Sequence, residues 1–294
     1  MRTYYSLNKY LQDTFGCKVY KVALSGGFTC PNRDGTIGTG GCIFCSAGGS
    51  GDFAESPELP IKEQLALGKE RIKKKVHGGK YIAYFQSFTG TYAPVEKLRK
   101  LYSEAVSDPE VAALSVATRP DCLPDDVCFL LEEINKVKPV FVELGLQTIH
   151  SKSAEYIRRG YPLEVYDGAM EKLTKIGVNK VVHVILGLPG ESKEDMVKTV
   201  KYVVDSGADG IKLQLLHVLK GTDLAKDYLA GKFSTLSLDE YIDILDACLE
   251  VIPQNVVIHR LTGDGAKKDL IAPMWSANKK NVLNTIQKQF ACIK

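Results

Sequence analysis

The sequence has no run of apolar residues long enough to cross a membrane, no secretory signal at its start and no linker rich in proline or serine. Internal repeats and low-complexity segments are absent as well. The net charge is only +3, and the hydrophobic and charged fractions, 45% and 25%, are typical of folded domains. These features argue against a membrane, secreted or disordered protein. We therefore expect a globular chain of the cytoplasm without a membrane partner.

The eight cysteines of such a chain are expected to be reduced thiols or metal ligands. Three of them, Cys30, Cys42 and Cys45, lie in one loop after a predicted strand, and the first histidine after them is His77. A structural zinc site needs four protein ligands, and an ordinary iron–sulfur cluster uses four cysteines. Three thiols with no fourth ligand nearby therefore indicate an open coordination position for a small molecule. A zinc-binding interaction module, completed by a distant ligand, is the alternative.

The cysteine loop extends over residues 25–51 and is rich in glycine. Eleven residues separate Cys30 from Cys42, so the backbone must fold back before the three sulfur atoms can approach one another. Glycines 35, 38, 40 and 41 allow this turn because they adopt backbone conformations that other residues avoid.

Predicted strands alternate with predicted helices along the rest of the chain, which indicates parallel pairing. Before residue 220 the predicted strands are 19–24, 81–85, 113–118, 140–147, 180–186 and 211–216. We predict an α/β fold, a partial (β/α)6 TIM-type barrel over residues 1–220, with a doubly wound open sheet as the alternative. A C-terminal α/β extension, residues 221–294, is expected to pack on the barrel. The sequence leaves open whether its strand, 255–260, joins the sheet.

Polar residues lie where the predicted strands end, which is where barrel enzymes place functional groups. In the strand 140–147, Glu143 and Gln147 lie on the face opposite Val142 and Leu144. A parallel strand covered on both faces is usually apolar, so Glu143 is expected to face a polar partner in the barrel lumen. Pairing with a neighbouring lysine or arginine is the alternative interpretation.

Two further strand ends carry candidate ligand-binding groups. Arg119 has the geometry to bind a carboxylate or phosphate through two hydrogen bonds, but it is equally suited to pair with Asp121. The segment 187–191, Gly-Leu-Pro-Gly-Glu, would let the backbone approach a flat ligand, although by itself it is a turn before a helix.

The cysteines, with Phe44 before Cys45, resemble the signature of the radical S-adenosylmethionine (radical SAM) superfamily in an unusually wide spacing. The segments at 86–91, 118–121, 143–148, 158–161 and 187–191 extend the resemblance over nearly the whole chain. The spacing is similar to that of the radical domain of the Elongator catalytic subunit. It is more similar still to that of the bacterial YhcC/YtqA-like group. Residues 216–222 and 260–265 of this chain also match the sequence pattern of that group. One departure is that Ser-Phe-Thr-Gly, 87–90, replaces the family's Gly-Gly-Glu segment.

The resemblance implies that Cys30, Cys42 and Cys45 hold a [4Fe-4S] cluster whose fourth iron binds S-adenosylmethionine. Reductive cleavage of that molecule would then supply a 5′-deoxyadenosyl radical. The implied contacts are Glu143 and Gln147 for the ribose or methionyl part, Arg159 for the carboxylate and Gly187 and Leu188 for the adenine. Four further residues are expected near the cofactors: Phe44, Ser87, Thr89 and Arg119.

The resemblance also implies a tRNA substrate, in which a carboxymethylaminomethyl group on the wobble uridine is converted towards aminomethyl. A reducing electron donor of the flavodoxin or ferredoxin type and a downstream methyltransferase are the implied partners. Lysine-rich segments at 62–80 and 267–294 fit a polyanion, although lysines that keep exposed helices soluble are the simpler interpretation. An oxidative decarboxylation of a small molecule is the alternative reaction. We expect the catalytic, substrate-side groups to be His217, Lys220 and Arg260, although a buried structural histidine is as plausible a role for His217.

Overall fold

The computed structural model describes residues 2–49, 54–73, 78–263, 265 and 267–293. Its strands are β1 (Arg2–Tyr4), β2 (Val19–Leu24), β3 (Lys80–Phe85), β4 (Val111–Thr118), β5 (Val140–Gln147), β6 (Asn179–Leu186), β7 (Gly210–Leu215), β8 (Val218–Leu219), β9 (Val257–Arg260), β10 (Leu270–Ala272) and β11 (Phe290–Cys292). Its α-helices are α1 (Leu7–Phe15), α2 (Ile61–Ile72), α3 (Val95–Ser107), α4 (Asp125–Asn135), α5 (Ser151–Tyr156), α6 (Leu163–Lys175), α7 (Lys193–Asp205), α8 (Asp223–Leu229), α9 (Leu238–Glu250) and α10 (Lys279–Gln289).

Seven parallel strands form the main sheet, in the order β2-β3-β4-β5-β6-β7-β9. The order in space follows the order in sequence, whereas a doubly wound sheet reverses direction at a switch point. The partial TIM-type barrel is therefore confirmed. All six strands predicted before residue 220 are present, and β9, whose place the sequence left open, adds a seventh.

The two faces of each strand face different surroundings because side chains alternate along a strand. Outward-facing residues such as Leu114, Val142 and Val182 are fully buried against the surrounding helices, where they form the large core. That core includes Leu98 of α3 and Leu130 of α4. Burial of this apolar layer holds the helices on the outside of the barrel.

The amino-terminal end of the barrel lumen is closed by α1. Its residue Leu11 packs with four inward-facing side chains, one from each of four adjacent strands: Ile82, Ala113, Phe141 and Val181. Ser6 caps the helix by accepting a hydrogen bond from Lys9 N at 3.3 Å. The helix therefore covers the end of the lumen that lies opposite the carboxyl ends of the strands.

The two ends of the described chain meet in a small parallel sheet of β1 and β11. The sequence predicts helix for residues 1–16 and for 277–290. In the structure, Arg2–Tyr4 and Phe290 belong to strands instead. Each of these three-residue strands is stabilised by the other, so the pairing depends on contacts between segments almost 290 residues apart. Local pattern cannot reveal such a pair.

The C-terminal part of the chain contributes both to the sheet and to its surroundings. β9 pairs with β7 as the seventh strand, while β10 pairs antiparallel with β8 and α9 packs against α7. The division into residues 1–220 and 221–294 stays a prediction. In the part of the chain that the structure describes, no helix combines the length and the apolar character that a bilayer crossing requires.

Candidate functional site

A cavity lies at the carboxyl ends of the barrel strands, beneath the cysteine loop. Most of the residues selected from the sequence line it: Cys30, Cys42, Phe44, Cys45, Thr89, Arg119, Glu143, Gln147, Arg159, His217 and Arg260. The thiols are at its loop side, and Glu143 is in the lumen. The fold therefore brings side chains from five strand ends and one loop to a single space.

All three thiols of the loop line this cavity. Tetrahedral zinc at about 2.3 Å from each sulfur would hold its thiolate ligands about 4 Å from one another. Within the described residues, no three His, Cys, Asp or Glu side chains are close enough together to hold one metal ion. The described side chains therefore do not support the zinc-binding alternative.

Polar side chains of the loop hold the cysteines in place. Asn32 Nδ2 donates a hydrogen bond to Arg158 O at 2.7 Å and lies 3.5 Å from Cys42 Sγ. Arg33 donates to Cys45 O at 3.3 Å and to Ser46 O at 2.6 Å. Burial, together with the smaller effect of the Cys45 thiol, raises the pKa of Cys42 to about 11. A metal group that binds the Cys42 thiolate must therefore displace its proton.

Two arginines lie on one wall of the cavity and differ in how they are engaged. Arg119 donates to both carboxylate oxygens of Asp121, at 2.9 and 2.7 Å, which is one of the two alternatives that the sequence allows. Arg159 donates to backbone oxygens, including Tyr161 O at 3.1 Å and Thr148 O at 2.5 Å. Both guanidinium groups lie over the ring of Tyr161. The predicted contact of Arg159 with a ligand carboxylate stays a prediction.

Gln147 ends β5 in a left-handed backbone conformation, with φ 67°. Its side chain occupies the space above Gly145, where a Cβ would lie 2.6 Å from Gln147 Nε2. The missing side chain at residue 145 therefore lets Gln147 lie against the cavity wall.

Glu143 is completely buried at the centre of the lumen and accepts five hydrogen bonds. Its oxygens bind Lys21 Nζ at 2.8 Å, Ser115 Oγ at 2.8 Å, Tyr84 OH at 2.8 Å and His183 Nε2 at 2.9 Å, and also Lys212 Nζ. Burial alone would raise the pKa of Glu143, but Lys21 and Lys212 hold it well below its usual value. The lysine pairing that the sequence left open as an alternative is therefore what the structure contains.

We define the floor of the cavity as Glu143, four of its hydrogen-bond donors and Arg260, the register partner of Lys212. The four donors are Lys21, Tyr84, His183 and Lys212. Burial lowers the pKa of Lys212 to about 7, an effect that Glu143 opposes. Burial and the Lys212 charge lower the pKa of His183 to about 4, so its ring is neutral at pH 7. Sequence reasoning missed Lys21, Tyr84, His183 and Lys212. The signal was present, because Lys212 and Gln214 alternate with apolar residues in β7 as Glu143 does in β5.

Comparison with known families and structures places this geometry in context. The model of the Radical SAM superfamily matches residues 32–203, and the model of the Radical_SAM C-terminal domain matches residues 208–291. The chain belongs to the radical SAM superfamily.

Curated relatives match over most of this radical SAM chain. The protein YtqA of Bacillus subtilis is 48% identical over 288 residues, which are 98% of this chain and 89% of YtqA. The protein YhcC of Escherichia coli is 40% identical over 270 residues, which are 92% of this chain and 86% of YhcC. A tRNA uridine(34) acetyltransferase of Methanocaldococcus jannaschii is 29% identical over 158 residues, 52% of this chain and 28% of that enzyme.

Among solved structures, the archaeal Elp3 of Methanocaldococcus infernus superposes with a TM-score of 0.68. The match covers 92% of this chain but only 63% of that chain, at 19% sequence identity. At this level of identity the match shows a shared fold.

Radical SAM proteins use a [4Fe-4S] cluster and S-adenosylmethionine. The residues present fit these groups, because three cysteine thiols line one cavity and no fourth cysteine is among the described residues of its lining. One iron of the cluster would then stay open to the nucleoside. Cys30, Cys42 and Cys45 would hold the cluster. When bound, the two groups supply hydrogen-atom abstraction through a 5′-deoxyadenosyl radical.

Four selected residues do not line the cavity that the structure describes: Ser87, Gly187, Leu188 and Lys220. Gly187 N donates to Met196 Sδ at 3.1 Å, and Leu188 packs with Ile43 behind the cysteine loop. Lys220 is exposed and donates to Lys268 O at 3.0 Å. The roles predicted for these residues stay predictions, and Leu188 is placed to support the loop.

Proposed function

We propose that this protein is a tRNA-modifying radical SAM enzyme. In this proposal it converts the carboxymethylaminomethyl group of the wobble uridine towards aminomethyl. The observation that carries the proposal is the partial match to an enzyme named for uridine 34 of tRNA, 29% identical over 158 residues. The cavity supports the proposal because the thiols and the charged floor line the same space. In the proposal, one nucleoside is turned out of the tRNA and its modified side chain enters this cavity.

The rim of the cavity carries exposed lysines that suit a polyanion. Gly263 and Gly265 line the cavity, and Lys267 and Lys268 follow them on the surface. Lys220 is held beside them, since its backbone N donates to Asp269 O at 2.7 Å. We define Lys220, Lys267 and Lys268 as the basic rim. It is suited to phosphate contacts, which supply most non-specific affinity for nucleic acid.

The first lysine-rich segment, residues 62–80, has fewer lysines available for contacts with nucleic-acid phosphates. Lys69 pairs with Asp108 at 2.7 Å and Glu110 at 2.8 Å, and Lys73 pairs with Glu70 at 3.1 Å. Residues 74–77, which include two further lysines, lie outside the described part of the chain. The described part of this segment therefore fits the simpler interpretation, in which lysines keep a surface helix solvated.

A reducing electron donor of the flavodoxin or ferredoxin type belongs to the same proposal, because S-adenosylmethionine is cleaved by one-electron reduction. A methyltransferase acting on the aminomethyl product is the second proposed partner.

To test the proposed function, cluster-reconstituted protein is incubated with a reductant, S-adenosylmethionine and tRNA from a strain that lacks this gene. Mass spectrometry of the digested tRNA should show loss of carboxymethylaminomethyl uridine and gain of aminomethyl uridine. The matched control is the same tRNA without the wobble modification, which should stay unchanged. An unaltered wobble nucleoside beside active cleavage of S-adenosylmethionine would reject the tRNA proposal in favour of a small-molecule substrate.

A further inference from the structure

Arg33 lies near the first cysteine of the loop, and its side chain reaches the last one. Arg33 Nη2 donates hydrogen bonds to Cys45 O at 3.3 Å and to Ser46 O at 2.6 Å. Arg33 and Cys45 are twelve positions apart, so these bonds cross the loop. The arginine also lines the cavity together with the three thiols. One side chain therefore joins the two ends of the segment that carries the cysteines.

Two neighbours of the Arg33 guanidinium fix its position. Gly41 has φ 71°, in the region that favours glycine, and a Cβ there would lie 3.0 Å from Arg33 Nε. The missing side chain at residue 41 therefore admits the guanidinium. Arg33 Cζ also lies over the ring of Phe88, 5.5 Å from the ring centroid, which is within the range of a cation–π interaction.

Phe88 is itself held against the cysteine loop. Its backbone has φ 57°, a left-handed conformation that is uncommon for residues other than glycine. Phe88 N donates to Gly49 O at 2.9 Å, and a Cβ on Gly49 would overlap the Phe88 ring. A conformation of this kind persists only where the surrounding contacts determine it. The segment 87–90, in which this chain departs from the family pattern, therefore supplies the ring that supports Arg33.

The charge of Arg33 lies close to where the thiols would hold a cluster. Four covalent bonds connect the carbonyl oxygen of a cysteine to its own Sγ, a separation of at most about 5 Å. Together with the contact to Cys45 O, this places Arg33 Nη2 within about 8 Å of Cys45 Sγ. The contacts with two carbonyl oxygens and one aromatic ring hold the guanidinium without neutralising it, because these groups are uncharged.

We propose that Arg33 is a positioning residue that fixes the backbone of Cys45 and raises the reduction potential of the cluster. Reduction adds one electron, taken from the reducing donor, and no bond to Arg33 forms or breaks. A positive charge nearby stabilises the reduced cluster more than the oxidised one, because the reduced form is the more negative. The inference depends on the cluster that the superfamily uses and is independent of the substrate.

The test measures the cluster without turnover. Anaerobically reconstituted protein, without S-adenosylmethionine or tRNA, is titrated with a chemical reductant, and electron paramagnetic resonance reports the reduced fraction. Iron content is measured on the same samples. Arg33→Gln should disfavour reduction by about tenfold, which lowers the midpoint potential by about 59 mV for one electron. The matched control is Arg99→Gln, which removes an exposed arginine of α3 and should leave both values unchanged.

Arg33→Lys separates the charge from the contacts, since it keeps the charge and loses the planar guanidinium. Its potential should stay close to that of the wild type, while its iron content should fall. Arg33→Gln with a full cluster and the wild-type potential would overturn the proposal.

If Arg33→Gln holds too little cluster for a titration, Arg33→Lys decides. A potential lowered tenfold in terms of the equilibrium constant, in a variant that keeps the charge, would contradict the proposal. A wild type that binds no iron would overturn it too, whatever the substrate is. Failure of the wild type to modify tRNA, by contrast, would reject the proposed function and leave this inference standing.

Discussion

Gly160 leaves room for Asn32: a Cβ on residue 160 would lie 2.7 Å from Asn32 Oδ1. Gly160 has φ 83°, in the left-handed region that favours glycine. Asn32 in turn links the cysteine loop to Arg158 O and approaches Cys42 Sγ. The glycine after the two arginines is thus a structural support of the cysteine loop.

Gly160→Ala should therefore disturb the cluster site more than the fold. The left-handed backbone at residue 160 costs an alanine about 1–2 kcal/mol of stability. The close contact between the alanine Cβ and Asn32 Oδ1 also displaces the cysteine loop. We expect reduced iron content after anaerobic reconstitution, measured beside the unfolding free energy.

The control for this variant is Gly177→Ala. Gly177 has φ 67°, and a Cβ there would meet nothing within 4 Å. This variant should lose similar stability while keeping its iron. Equal iron loss in both variants would mean that Asn32 does not transmit the effect.

Glu143→Gln should strongly destabilise the protein. The variant leaves the buried Lys212 and the partly exposed Lys21 without their shared carboxylate, and removing one partner of a buried pair costs about 3–5 kcal/mol. Denaturant unfolding at pH 6, where Lys212 carries its proton, measures the change. Glu250→Gln, which removes an exposed partner of Arg2, should cost less than about 1 kcal/mol.

The stability contributed by Glu143 should also depend on pH. Its folded-state pKa lies well below 4.5, so the contribution is complete above pH 4.5 and is lost as the pH falls through the folded value. The difference in unfolding free energy between wild type and Glu143→Gln should shrink below pH 4.5. A difference that stays constant down to pH 3 would show that Glu143 is not ionised in the fold.

Cys42→Ser should abolish cluster binding. A cubane cluster held by three cysteines loses one third of its protein ligands, and a serine hydroxyl is a poor replacement for a thiolate. Iron and sulfide analysis should fall from about four atoms of each per chain to near zero. Cys292→Ser changes an exposed thiol far from the loop and should keep the wild-type values. Iron retained by Cys42→Ser would mean that another residue is the ligand.

Replacing the three lysines of the basic rim with glutamine should weaken tRNA binding and its dependence on salt. Each lost phosphate contact lowers the slope of log K against log salt by about 0.7–0.9. Binding measured between about 50 and 200 mM salt gives that slope.

A matched triple variant removes exposed lysines from helices around the barrel: Lys136, Lys175 and Lys201. It should keep the wild-type slope. An equal reduction in both triple variants would indicate only general charge attraction, and no reduction in the rim variant would exclude the rim as a tRNA surface.

Much of the fold could be predicted because its signals are local. Alternating strands and helices, the glycine-rich loop and the turn before α7 each depend on neighbouring residues. The capping box of Ser192 and Asp195, for example, spans four positions. By contrast, the pairing of β1 with β11 and the joining of β9 to β7 depend on distant segments. Neither pairing leaves a periodic mark in the sequence.

The site divides in the same way. Cys30, Cys42 and Cys45 are recognisable from the sequence because metal ligation depends on residue type and spacing, and Glu143 because a carboxylate interrupts an apolar strand. Only the tertiary structure decided what surrounds Glu143, since Lys21, Tyr84, His183 and Lys212 come from four different strands. It also placed Lys220 on the rim and Lys212 at the floor. The physical reason is that a parallel barrel brings together residues tens of positions apart, and their charges and burial then set the chemistry of each group.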